Sequence, residues 1–313
     1  MKITIMGCGA FGTAIAYMFK ENNCDIRMWN KFDNGFDELK EKMPFTSFYT
    51  DMNECIDNDS VIVIAIPIEY MEDVIIDLSK IYNNQNILVV SKGIEANNGL
   101  FASNIIEKYI NTKNYGIISG GTFASDMKSK SIMGLTLATK SDNIKDIVMN
   151  NLDNKYLNIE YTDDVIGVQI CGAIKNVIAI GFGILDGANY SYSSKYLFLT
   201  EAIYEIKNII KYLNGNDKTI ISYAGIDDIM MTCTSSESRN YTFGRLIGEK
   251  TDKNVIDKYK KDNTVEGITS VLGFKKMLGN IFYNFKICSV IYDILYNNES
   301  YEELINILIH KKN

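Results

Sequence analysis

Proline and histidine are nearly missing from this 313-residue chain, which holds only Pro44, Pro67 and His310. The histidine stands in the charged tail HKKN and is a poor catalytic candidate. Six cysteines (Cys8, Cys24, Cys55, Cys171, Cys233, Cys288) are scattered with no CxxC pair, which argues against a zinc or disulfide framework and fits a reducing compartment. No basic stripe appears, and the net charge of -7 argues against a nucleic-acid surface, although a few placed cations can still hold one phosphate. The N-terminus offers no signal peptide, so a cytoplasmic protein is expected. An apolar fraction of 46% and a charged fraction of 23% are ordinary for a globular protein long enough for two domains. The abundance of Asn, Lys, Ile and Tyr beside two prolines reads as genome composition.

Only one long apolar run is present, Val165 to Leu185, VIGVQICGAIKNVIAIGFGIL, in which Gln169, Lys175 and Asn176 are the strongly polar residues. Its length would suit a membrane span. Lys175 would then lie near the bilayer centre, and Asp163, Asp164 and Asp186 give no positive-inside signal, so no span is expected. The remaining reading is a buried helix of a soluble domain. There, loss of water around the ammonium tends to lower a lysine pKa and makes Lys175 a candidate proton donor or acceptor, unless its stem simply carries the charge to the surface.

The first half alternates strand and helix patterns. Lys2 to Met6 reads as a strand, followed by Gly7-Cys8-Gly9-Ala10-Phe11-Gly12 and a helical stretch, which is the dinucleotide fingerprint in its proper context. Gly7 permits the turn, Gly9 lets backbone approach a pyrophosphate, and Gly12 allows close helix packing. The second strand, Asp25 to Trp29, runs into Asn30 and Lys31, where an acid would favour NAD and a cation would accept the 2′-phosphate of NADP; the preference stays open. Further strands are expected at 60–66, closed by Pro67, at 86–90, followed by Ser91-Lys92-Gly93, and at 115–118, followed by Ser119-Gly120-Gly121-Thr122-Phe123-Ala124. In open α/β sheets ligands gather at strand carboxyl ends, which places Pro67 and Lys92 near a cofactor or substrate. Strands at 132–138 and 157–160 close the pattern.

From Val165 the apolar spacing turns helical almost throughout, and a boundary follows near Thr162. Helices are expected at 165–185, 196–214, 268–278, 282–296 and 301–310. The hydroxyl-rich stretch 224–248 reads as an anion-binding loop, with Thr264-Val265-Glu266-Gly267 after it.

Several separated motifs, the N-terminal glycines, SKGIE at 91–95, CGAIKNVIAI at 171–180, GIDDIMMTCTS at 225–235, SRNYTFG at 238–244 and VEG at 265–267, together resemble the NAD(P)-dependent glycerol-3-phosphate dehydrogenase family over nearly the whole chain. The resemblance implies an α/β Rossmann-type doubly wound domain at 1–162. A 6-phosphogluconate dehydrogenase-like all-α domain at 163–313 would bind substrate and carry the catalysis. It implies reduction of dihydroxyacetone phosphate to sn-glycerol 3-phosphate with NAD or NADP, a homodimer, and no metal. Lys175 would be the general acid and base at the substrate C2 oxygen, with Lys92 and Asp228 beside it. Substrate would further meet Gly120, Thr122, Asn176, Ser238, Arg239 and Asn240. The cofactor would meet Gly7, Gly9, Ala10, Phe11, Gly12, Asn30, Lys31, Pro67, Lys92, Ala124, Arg239, Thr264 and Glu266. Two positions depart from the family: Gly121 replaces a usual proline, and the segment from Asp33 to Thr50 is short, with Met43-Pro44 as a remnant of the longer turn. Two alternatives stand beside this reading. A related two-domain dehydrogenase acting on another hydroxy acid or phosphorylated polyol would not need SRN beside GIDD. A non-catalytic NAD(H) sensor would not need Lys175, Lys92 and Asp228 together.

Overall fold

A computed structural model describes residues 1–309, so His310 lies outside the described residues. The chain divides into two compact units: Met1–Lys92 with Ala102–Val165, and Gly93–Phe101 with the chain from Ile166 onward.

The first unit is built on one eight-stranded sheet. Its strands are β1 (Lys2–Met6), β2 (Asp25–Trp29), β3 (Thr46–Tyr49), β4 (Val61–Ile64), β5 (Asn86–Val89), β6 (Tyr115–Ser119), β7 (Met133–Thr139) and β8 (Leu157–Thr162). They lie in the order β3-β2-β1-β4-β5-β6-β7-β8, and every neighbouring pair is parallel except β6 with β7. Strands β4 and β5 are near-continuous Val, Ile and Leu because parallel strands are covered on both faces. Helices α1 (Ala10–Glu21), α2 (Phe36–Lys42), α3 (Met52–Cys55), α4 (Met71–Ser79), α5 (Ala102–Tyr109), α6 (Ala124–Ser129) and α7 (Asp142–Asn151) connect them. Because β2 and β4 flank β1, the strand order reverses there, and an open α/β sheet offers a ligand crevice at the carboxyl ends beside such a switch. The short 33–50 segment still forms α2 and β3; β3 escapes sequence reading because it is a four-residue edge strand with no fully buried residue.

The second unit is helical: α8 (Val165–Gly187), α9 (Tyr192–Tyr212), α10 (Asp228–Thr234), α11 (Arg239–Gly248), α12 (Lys253–Asp262), α13 (Glu266–Leu278), α14 (Lys286–Tyr296) and α15 (Glu303–Ile309). Helix α8 is long and apolar enough to cross a membrane, yet 94% of its most apolar stretch is buried within the protein. Ile170, Ile174, Val177, Ile178, Ile180, Ile184 and Leu185 form the spine of the helical core. Each such side chain contributes about 1.5–3 kcal/mol on burial.

Two sequence expectations are corrected here. The 224–248 stretch is largely helical: α10 and α11 flank a short turn at 235–238. Its hydroxyls are satisfied internally, Thr234 Oγ1 donating to Met230 O at 2.8 Å and Thr242 Oγ1 to Ser236 O at 3.0 Å, so polar density did not mean open loop. Helix α12, with no buried residue, lacks the apolar face that a pattern search needs. A single boundary near Thr162 also omits an excursion, since Gly93–Phe101 packs into the helical unit. Ile94 and Phe101 belong to its core. A Cβ on Gly99 would lie 2.6 Å from Met277 N and one on Gly273 2.7 Å from Glu95 O, so only glycine permits this approach.

Candidate functional site

In the first unit, the turn after β1 is shaped by contact with the end of β4. Gly7 has φ +115, and a Cβ there would collide with Ala65 O. A Cβ on Gly12 would collide with Gly7 O, so the third glycine lets α1 start directly on the turn. Gly9 differs: nothing lies within 4 Å of its would-be Cβ. It is the N-cap of α1, has no side-chain cap, and heads a first turn with no acidic residue. Free N–H groups at a helix start above an open glycine suit a pyrophosphate, so the residues present fit a dinucleotide. Ala10 is exposed and Phe11 half-buried at that mouth.

The neighbouring strand ends carry the other expected residues of this unit. Asn30 Nδ2 donates to Phe32 O at 2.9 Å, and Lys31 is exposed, so no carboxylate directly follows β2. Pro67, exposed, opens the turn after β4, and Ser91 Oγ donates to Ile66 O at 2.6 Å, tying the ends of β4 and β5 together. Lys92 Nζ donates to Gly120 O at 3.1 Å, which joins two of the expected substrate residues. Thr122 N donates to the same carbonyl at 3.0 Å, while the buried Thr122 Oγ1 has no partner among the described residues. A buried hydroxyl without a partner is costly, and a ligand group would satisfy it. Ala124 begins α6, half-buried beside this loop.

In the second unit, the ammonium of Lys175 is buried against Asp228. The Asp228 carboxylate accepts from Lys175 Nζ through Oδ1, and Thr232 Oγ1 accepts from Nζ at 2.9 Å. Thr232 Oγ1 in turn donates to Asp228 Oδ1 at 3.2 Å. Asp228 and Thr232 are one turn apart on α10, so one helix face presents both to the lysine. Thr232 was missed by sequence reasoning; its i+4 spacing from Asp228 was the available signal. A carboxylate at contact favours the charged ammonium, offsetting the loss of water. The surroundings are strongly desolvated, since burial pushes the adjacent Cys233 thiol far above its usual range despite Lys175.

One residue on, Asn176 enters a second network. Its Nδ2 donates to Glu266 Oε2 at 2.9 Å, and its Oδ1 accepts from Asn240 Nδ2 at 3.0 Å. Asn240 Oδ1 accepts from Gly267 N at 2.8 Å, completing a ring through α8, α11 and α13. A Cβ on Gly267 would lie 2.5 Å from Asn176 O, which explains the glycine after Glu266. Ser238 caps α11, its Oγ accepting from Tyr241 N at 3.3 Å, and Arg239, exposed, projects from the first turn. A helix start with an arginine, a hydroxyl and an amide is a fitting phosphate anchor. Thr264 is exposed one residue before Val265, the N-cap of α13, and Glu266 opens that helix.

Comparison with known proteins bears on both units. Residues 2–145 match the model of the NAD-dependent glycerol-3-phosphate dehydrogenase N-terminus, and residues 164–306 that of its C-terminus. The chain is 30% identical to a glycerol-3-phosphate dehydrogenase [NAD(P)+] of Listeria monocytogenes serotype 4a (strain HCC23), over 99% of this chain and 96% of that one. It is 29% identical to the protein of that name from Staphylococcus aureus (strain bovine RF122 / ET3-1), over 99% and 98%. A crystal structure of glycerol-3-phosphate dehydrogenase from Coxiella burnetii has the same fold, with a TM-score of 0.89 at 21% identity and 99% coverage of both chains.

Proposed function

The chain belongs to the NAD-dependent glycerol-3-phosphate dehydrogenase family, and on that premise we propose which of its residues carry the reaction. The protein is an oxidoreductase acting on a CH–OH group, interconverting dihydroxyacetone phosphate and sn-glycerol 3-phosphate with NAD or NADP. The observation that carries the residue assignment is the buried set of Lys175, Asp228 and Thr232, one residue from the amide ring that reaches the phosphate-anchoring turn.

NAD or NADP would supply or accept the hydride; Gly7, Gly9, Ala10, Phe11 and Gly12 would hold its pyrophosphate and Asn30 and Lys31 its adenosine ribose, with Pro67, Lys92, Ala124, Arg239, Thr264 and Glu266 as further cofactor-binding residues. Negative charge develops on the substrate C2 oxygen as the ketone is reduced, and the Lys175 ammonium delivers a proton to it. In the reverse direction neutral Lys175 takes that proton. Asp228 stabilises the ammonium form and, with Thr232, fixes the direction in which Nζ points. Lys92, with Gly120 and Thr122, adds a cation and a hydroxyl on the substrate side. Ser238, Arg239 and Asn240, together with Asn176, bind the phosphate, a non-reacting handle whose binding energy orients the carbonyl. A homodimer in a reducing cytoplasm is part of the same proposal: six free cysteines suit that compartment, and the dimer follows the family resemblance.

The test follows nicotinamide absorbance with dihydroxyacetone phosphate. Lys175→Ala should lower kcat on the order of 10²-fold or more while the cofactor still binds. Full activity in that variant would sink the assignment.

A further inference from the structure

Helices α8 and α11 touch through backbone. A Cβ on Gly183 would collide with Tyr241 O, one on Gly244 with Ile180 O, one on Gly187 with Arg245 O, and one on Gly248 with Ile184 O. Residue numbers rise together along both helices, so the two run parallel, joined by Gly183-x₃-Gly187 on one and Gly244-x₃-Gly248 on the other. Each glycine receives a carbonyl of the other helix, which permits close approach of the two backbones. Directional bonds add to the axial register that this packing sets.

Two such bonds leave consecutive residues of α11 in opposite directions along α8. Asn240 Nδ2 reaches back to Asn176 Oδ1 at 3.0 Å. Tyr241 OH reaches forward to Asp186 Oδ2 at 2.5 Å. Their acceptors are ten residues apart on α8, about 15 Å along the helix. Asp186 is itself held by the buried Lys195 of α9, whose ammonium also lies 4.4 Å from the Tyr192 ring centre. This second lysine–aspartate pair, its lysine buried and its aspartate half-buried, has no part in the proton transfer, and it lies at the C-terminal end of α8, about three turns from Lys175 at the helix middle.

We infer that Tyr241, Asp186 and Lys195 form a register pin that sets the separation between Lys175 and the phosphate-anchoring turn Ser238–Asn240, matching it to a three-carbon phosphate. The inference rests on the roles assigned above to Lys175 and Arg239. Tyr241 is a positioning residue, acting through the helix that carries the anchor. Without its hydroxyl, α11 loses its directional bond toward the C-terminal end of α8, and the phosphate is gripped less well at an unchanged reacting centre.

The test compares Tyr241→Phe with the parent protein on dihydroxyacetone phosphate and on unphosphorylated dihydroxyacetone. KM for the phosphorylated substrate should rise about tenfold with kcat held within about twofold, as expected when a ground-state and transition-state contact is weakened equally. The ratio of kcat/KM between the two substrates should narrow by about the same tenfold factor. An unchanged KM and ratio would overturn the pin, as would a loss of kcat/KM equal for both substrates, which is the mark of a purely structural role. Should Tyr241→Phe not fold, Lys195→Met keeps the phenol bond and removes only its anchor; KM for the phosphorylated ketone should then rise about threefold, and no rise overturns the inference. Absence of turnover by the parent protein would sink the functional reading and the pin with it, whereas an active parent with an indifferent Tyr241→Phe sinks the pin alone.

Discussion

At the scale of single residues, the glycines of the nucleotide turn divide by what surrounds them. Gly7 and Gly12 are held by neighbouring backbone, whereas Gly9 faces open space. Gly9→Ala should therefore leave the unfolding temperature of the cofactor-free protein unchanged. It should still weaken NAD(P) binding on the order of tenfold, because the added methyl stands where backbone must meet the pyrophosphate. Calorimetric titration beside a thermal melt decides this, and an unchanged Kd would remove Gly9 from the cofactor site. The glycine motif was legible in the sequence because its spacing is dictated locally, by one turn and one helix start. Lys175 was legible for a different reason, being the lone charge in an apolar run. Its partners were less so. Asp228 entered through resemblance, and Thr232 not at all, since a contact between α8 and α10 spans more than fifty residues of sequence. Glu266 shows the limit of reading roles one at a time, because in the fold its carboxylate orients the Asn176 amide.

At the scale of elements, hydroxyl-rich helices deceive a pattern search. Helices α10 and α11 keep their Thr side chains bonded inside the helix, to the turn between them or to Lys175, so the composition of a loop became the wall of a site. The glycines of α8 and α11 argue the same point for stability. On an open helix Gly→Ala would gain about 1 kcal/mol. Gly244→Ala instead drives a methyl into the Ile180 carbonyl, and backbone can yield only by separating the helices. A net loss of about 1–3 kcal/mol is expected, typical of overpacking, and denaturant unfolding measures it. A gain in stability would show that the two helices are not in backbone contact. Burial and the neighbouring Asp186 together push the Tyr241 phenol up to about 12, so the pinning bond keeps its proton throughout the neutral range.

At the scale of the whole molecule, the change from βαβ pattern to helical pattern correctly marked two folding classes along the chain. What the pattern could not reveal is the nine-residue excursion Gly93–Phe101, because short segments without periodicity announce their packing partners only in three dimensions. The helical unit is thus discontinuous in sequence. A fragment beginning at residue 163 lacks Ile94 and Phe101, two core side chains contributing about 1.5–3 kcal/mol each. It should unfold with little cooperativity, as followed by circular dichroism in denaturant. A sharp two-state transition in that fragment would show the excursion to be dispensable.

The turn that delivers Asp228 carries a consequence for how such a chain can change over generations. Residues Tyr223–Asp227 lead into α10 across a kink, where Gly225 takes the non-helical angles φ -92 and ψ -109. Because Asp228 and Thr232 follow it on a single helix face, they are phased together by the length of that turn. Deleting one residue would shift the start of α10 and move both groups relative to Lys175 at once. The segment is therefore constrained in length, and at Gly225 in identity as well, since a Cβ there would lie 2.3 Å from Ile220 O.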